Sequence, residues 1–133
     1  MKNDGLIIWA QRILYFGFII LPITAGIDKY IHFFTEWEKY LSPAFQSLLP
    51  VKPHIYMKIV GAIEIFAGLL VAFAPRVGGA VVSIWLLGIV VNLSLMPNFY
   101  DIALRDIGLS LAALTLSLLS SGCKPVSDRT CCT

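Results

Sequence analysis

HIYMKIVGAIEIFAGLLVAFA, residues 54–74, is a nearly unbroken apolar run with one carboxylate, Glu64, close to its middle. At about 1.5 Å rise per residue the run is long enough to cross a hydrocarbon core of about 30 Å. A lone charge at the centre of such a layer costs from about 2.5 kcal/mol to far more. Glu64 therefore needs partners on other segments, and the rest of the chain is read for them.

With 133 residues the chain is one domain. Its hydrophobic content of 58% and charged content of 14% lie on either side of the roughly 45–50% and about 25% of soluble domains. Mean hydropathy is +0.82. A soluble fold of this size cannot hide so much apolar surface, whereas a polytopic membrane protein turns it toward lipid. The net charge of +2 is dispersed, without a Lys/Arg run, and this excludes nucleic acid as a partner. The three cysteines, Cys123, Cys131 and Cys132, fall in the polar tail 123–133. With no histidine nearby and an odd count, they make neither a zinc set nor a disulfide framework. They read as a reduced, exposed tail, or alternatively as a redox-active or metal-touching one.

The pattern predicts an all-α polytopic membrane protein: a four-helix transmembrane bundle over residues 1–122, with short interfacial helices between spans 1 and 2. The spans are expected at about 6–27, 54–74, 77–96 and 101–121, with an interfacial connector at 28–53. The first run contains Gln11 and Arg12 and exceeds the length of a signal-peptide core, so it reads as a retained helix. Pro22 should kink it, with Thr24 or a neighbour satisfying the freed carbonyl. Trp9, Tyr15 and Tyr30 suit interfacial placement.

Within the connector, Thr35 with Glu38 fits a capping box, and Ser42 followed by Pro43 fits a second helix start. Trp37, Tyr40, Leu41, Ala44, Phe45, Leu48 and Leu49 fall on one helical face. That face lies on the membrane surface or over the bundle mouth, as a plain connector or as a lid or docking face. His32 and His54 flank the connector without further ligands at metal spacing, and read as surface histidines. Gly61, Gly68 and Ala72 lie near one face of the second span and permit close helix contact.

Four spans put both termini on one side. Lys2, Arg76, Lys124 and Arg129 mark that side and Lys29, Lys39, Lys52 and Lys58 the other. This reading places the termini in the cytoplasm.

Counted from the connector end, Glu64 lies roughly 12–15 Å deep, Asn92 about 6 Å, and Arg105 and Asp106 about 6–8 Å. Lys58, Asp28 and Lys29 lie near that surface. Arg12 enters from the opposite side, about 9 Å deep, with a side chain long enough to reach inward or to snorkel out. The expected buried network is Arg12, Lys29, Lys58, Glu64, Asn92, Arg105 and Asp106, with Arg105 or Arg12 paired to Glu64. Such a network either fixes helix register or forms a polar pocket for a headgroup such as a quinone, or for a proton-transfer step. No complete catalytic motif and no cofactor ligand set stands in the chain.

The order QRILYFGFIILPITAGIDKY, then YMKIVGAIEIFAGLLVAF with PRVGG, then LRDIGLSLAALTLSL resembles the DoxX-like family of small four-span membrane proteins. The resemblance runs to about Ser121. It is carried by Arg12 with Gly26 and Lys29, by Gly61, Glu64 and Gly68, and by Arg105 with Asp106. It implies a multi-pass protein of the bacterial cytoplasmic membrane, in a family named for a subunit of a thiosulfate and quinone oxidoreductase. The expected function is a small subunit or anchor of a quinone- or sulfur-linked redox complex, with membrane or peripheral redox proteins as partners. The alternative is a stand-alone binder or carrier of a small molecule such as quinone. With no cysteine before Cys123, the paired thiols of disulfide-forming relatives of such bundles are lacking.

Overall fold

A computed structural model of the chain describes residues 2–48 and 50–122. Five α-helices and one 3-10 turn follow in order: α1 (Lys2–Ile31), the turn Trp37–Tyr40, α2 (Pro43–Gln46), α3 (Pro53–Phe73), α4 (Pro75–Ser94) and α5 (Tyr100–Gly122). Four of them, α1, α3, α4 and α5, are long and apolar enough to cross a membrane. The protein is an all-helical, four-span integral membrane bundle. The Cys123, Cys131 and Cys132 tail and Leu49 lie outside the described residues.

The bundle is two antiparallel pairs. α1 packs along α3, α4 packs along α5, and α3 against α4 joins the pairs. Small residues set both close approaches, as expected where lipid supplies no hydrophobic drive between helices. In the first pair, a Cβ on Gly26 would stand 2.6 Å from the Gly61 carbonyl oxygen, and one on Gly61 2.8 Å from that of Gly26. In the second, a Cβ on Gly79 would stand 2.8 Å from the Ala113 oxygen. Nearby, Ser83 and Ser110 pair their hydroxyls at 2.9 Å.

Between the pairs, Phe18, Ala67, Val71, Val82, Ala113 and Leu116 form the core. Large apolar side chains on the outer surfaces, such as Phe66, Phe73, Ile84 and Leu104, stay exposed, as lipid contact requires. Gly61 and Gly68 both meet α1, while Ala72 contributes a backbone oxygen that accepts from the Tyr15 hydroxyl at 2.8 Å. That carbonyl belongs to the last turn of α3, where no intrahelical N–H remains to take it. Tyr15 thus closes a helix end as well as sitting toward one face of the membrane. Toward the other end, Tyr30 donates to the Lys58 carbonyl inside α3 at 2.7 Å, a second cross-link between α1 and α3.

α1 runs through Pro22 without a break and continues past residue 27 to Ile31, taking Asp28 and Lys29 into the helix. The polar pair does not end the helix because both side chains are buried and satisfied there, at 1% and 2% exposure. The end comes at His32, which adopts φ 53° and donates its N–H to the Asp28 carbonyl at 2.7 Å. A left-handed residue just beyond the last turn is a common helix stop.

The connector is not one amphipathic helix. Thr35 makes no capping box: the cap of the 3-10 turn is Glu36, without a side-chain hydrogen bond, and Glu38 turns to the histidines instead. Ser42 does cap α2, its Oγ accepting from the Phe45 N–H at 3.3 Å, with Pro43 at the first position. Because the chain bends between the turn and α2, the apolar face divides. Trp37, Tyr40, Leu41 and Phe45 fold over the bundle mouth, and Leu48 stays 69% exposed.

Candidate functional site

Beneath the connector lies a cavity of about 590 Å³ reaching between all four spans. Its walls are mostly apolar, from Phe18 and Leu21 on α1 to Leu109 on α5. The size is that of a small-molecule pocket, and so is the mixture of apolar wall with a few polar groups.

The polar centre is an ion pair. Lys29 Nζ donates to Glu64 Oε2 at 2.6 Å, with the two side chains 3% and 11% exposed. α1 and α3 bring them together because the Gly26–Gly61 contact lets the backbones approach one turn away. The Lys29 ammonium also stands 3.7 Å from the centre of the Trp37 ring, a cation over an aromatic face. Trp37 is held in place by Asp28, whose Oδ2 accepts the indole N–H at 2.6 Å. Asp28 Oδ1 accepts the N–H groups of Phe33 and Phe34 at 2.9 and 3.0 Å. The carboxylate in the last turn of α1 thus shapes the first turn of the connector and sets the indole on Lys29.

Trp85 completes the centre from α4. Its buried indole N–H is directed at the Glu64 carboxylate but stops short of full hydrogen-bonding geometry, and no other acceptor takes it among the described residues. A buried donor held short of good geometry forfeits part of its hydrogen-bond energy, and this one lies in a cavity wall.

The other expected residues separate into distinct places. The Glu64 partner is Lys29, and neither Arg12 nor Arg105 fills that role. Arg12 is exposed at the far end, stacked over Trp9 at 5.9 Å. The Tyr15–Ala72 bond fixes the register of α1 on α3 so that Arg12 lies beyond the end of α3, two turns or more from Glu64. Lys58 is half-buried outside the cavity lining, its backbone oxygen engaged by Tyr30. Arg105 and Asp106 line the cavity from α5, Arg105 exposed and Asp106 half-buried, and neither forms an ion pair within 4.0 Å among the described residues.

Asn92 is a tether. Its Oδ1 accepts from Ser42 N–H at 3.0 Å and its Nδ2 donates to the Tyr40 carbonyl at 2.6 Å. These two bonds pin the connector to α4 across the mouth, and Tyr40 adds an edge-on contact with Phe99 at 5.0 Å. Asn92→Leu is expected to leave both backbone groups unpaired and to destabilise the connector by about 1–3 kcal/mol. Amide hydrogen exchange over residues 37–47 should accelerate while α3 and α5 stay protected; uniform protection would show that the tether is redundant.

Outside the cavity, Glu38 gathers both histidines. His32 Nε2 lies 3.0 Å and His54 Nδ1 3.2 Å from its Oε1. Partial burial raises the Glu38 carboxyl, but hydrogen bonds from its own backbone N–H and from the two imidazoles outweigh it and hold the group below its ordinary range. The two histidines are therefore not isolated surface groups. Spacing along the chain considers each alone, and only the fold brings residues 32, 38 and 54 together.

Trp37 and Trp85 are the site residues that the polar pattern misses, because an indole counts as apolar until its N–H is buried. The available signal is Trp85 itself, a side chain carrying an N–H in the middle of the apolar run 77–96. No protein-family model, curated protein or solved structure matches the chain.

Proposed function

We propose that this four-span membrane protein binds a small amphipathic molecule, with quinone as the expected class, in the cavity beneath its connector. The observation that carries this reading is the buried Trp85 N–H, which faces the Lys29–Glu64 pair without full hydrogen-bonding geometry, in an otherwise apolar wall. An ammonium has three donors, and Glu64 accepts one of them. A ligand carbonyl placed there receives hydrogen bonds from the Trp85 indole and from Lys29, and its apolar remainder fills the greasy part of the cavity.

The resemblance of the helices to the DoxX-like family supports a companion reading, that the bound molecule serves a redox complex of which this chain is a small subunit or anchor. Purification in mild detergent followed by native mass spectrometry separates the two. A lone chain or homo-oligomer with a co-purifying quinone or lipid favours the binder, and stoichiometric protein partners favour the subunit.

For the site itself the test is calorimetric titration of the detergent-solubilised chain with a short-chain benzoquinone. Saturable binding is expected, weakened at least tenfold in Trp85→Phe. Tenfold is about 1.4 kcal/mol, the upper end of the net worth of one hydrogen bond and reasonable for one made in a dry site. Equal affinity in wild type and variant, or no saturable binding at all, would overturn the assignment.

A further inference from the structure

We propose that His32, Glu38 and His54 form a binding site for a divalent transition-metal cation, with zinc the ion that their ligand chemistry fits best. The three side chains come from three different elements: the stop of α1, the 3-10 turn and the first turn of α3. Their donor atoms nevertheless all lie within 4.8 Å of one another. Both imidazoles point a ring nitrogen at the same carboxylate oxygen, Glu38 Oε1, at 3.0 and 3.2 Å. The rings lie nearly parallel, 17° apart in plane with centroids 5.7 Å apart.

In a tetrahedral zinc site with metal–ligand bonds of about 2.0–2.2 Å, adjacent donor atoms stand roughly 3.3–3.5 Å from each other. The two His–Glu38 separations reach that value if each opens by a few tenths of an ångström, and rotation of the side chains brings the two imidazole nitrogens, which lie within 4.8 Å, to the same spacing. Two neutral imidazoles and one carboxylate are a borderline-soft, three-ligand set suited to zinc, with the fourth position left to water. That position is available here, since the His54 side chain is 53% exposed and those of His32 and Glu38 27% each.

The backbone supports the same arrangement. His32 adopts the left-handed conformation at φ 53°, and this sends the chain back so that its ring faces the start of α3. A bound cation ties together the end of α1, the connector turn and the start of α3. It would hold the connector turn to α1 and α3, as the Asn92 tether holds it to α4. The site stands on its own ligands and does not depend on what the cavity binds.

The experiment uses the full chain in detergent, stripped with chelator, with Cys123, Cys131 and Cys132 changed to Ser so that the tail thiols cannot compete. Titration with Zn²⁺ is expected to show one ion per chain with a Kd in the micromolar range or tighter and a rise in thermal stability. Co²⁺ in the same place should give visible ligand-field bands without thiolate-to-metal charge transfer. His54→Ala and Glu38→Gln should each weaken the affinity at least tenfold. His32→Asn should do the same while keeping the helix stop, since Asn accepts positive φ. Binding that vanishes with the cysteines alone, or that persists unchanged in all three ligand variants, would overturn the proposal. So would a Zn²⁺ affinity of the Cys-to-Ser chain no tighter than millimolar.

Discussion

Glu64→Leu is expected to be the most damaging single substitution in the bundle, lowering stability by about 3–5 kcal/mol, the usual consequence of stranding one member of a buried ion pair. Lys29 is 2% exposed and its ammonium has Glu64 Oε2 at 2.6 Å as its carboxylate partner. Removing that oxygen leaves a cation facing the Trp37 ring and apolar side chains. Glu64→Gln should cost less, because an amide oxygen still accepts from Lys29. The double substitution Lys29→Met with Glu64→Leu should recover most of the loss, since replacing both members of a buried pair with apolar groups is often neutral. Unfolding in a graded denaturing detergent, followed by helical circular dichroism, measures all four chains. If Glu64→Leu unfolds like wild type, the pair is solvated and the centre of the site is misassigned. If the double variant folds normally but no longer binds the benzoquinone, stability and binding separate cleanly.

The second large effect is expected at the α1–α3 contact. Gly61→Ala should destabilise the bundle by about 1–3 kcal/mol, the range for forcing extra volume into a packed interface. The new methyl would meet the Gly26 carbonyl oxygen at 2.8 Å and the Lys29 Cβ at 3.1 Å. The first of these is backbone, which cannot swing aside, so the helices must part. Parting also lengthens the Lys29–Glu64 contact about one turn away. A reduction in benzoquinone affinity should therefore accompany the loss of stability. Gly17→Ala and Gly108→Ala serve as controls, because a Cβ at either position meets nothing within 4 Å. They should be neutral or slightly stabilising through helix propensity. Equal behaviour of Gly61→Ala and the controls would mean that α1 and α3 do not approach as closely in the membrane.

Apolar length and a nearly charge-free composition determined four spans, and small residues such as Gly61 and Gly68 marked the faces that meet. These are properties of local sequence, because a helix in lipid satisfies its own backbone and its hydrophobicity is read directly by the solvent around it. The depth of Glu64 also required a partner, and that requirement was legible from residue 64 alone. Which partner was not. Lys29, Arg12 and Arg105 are equivalent by charge, and the choice depended on the register of α1 on α3, fixed by Gly26 against Gly61 and by Tyr15 on Ala72. The same holds for Asn92, whose amide looks like a pocket group until the connector returns over it, and for His32, Glu38 and His54, which stand 6 and 16 residues apart at no recognisable ligand spacing. Sequence set what each helix must bury; only the tertiary structure decided which side chains share a level, because that depends on how far two backbones can approach and slide before they touch.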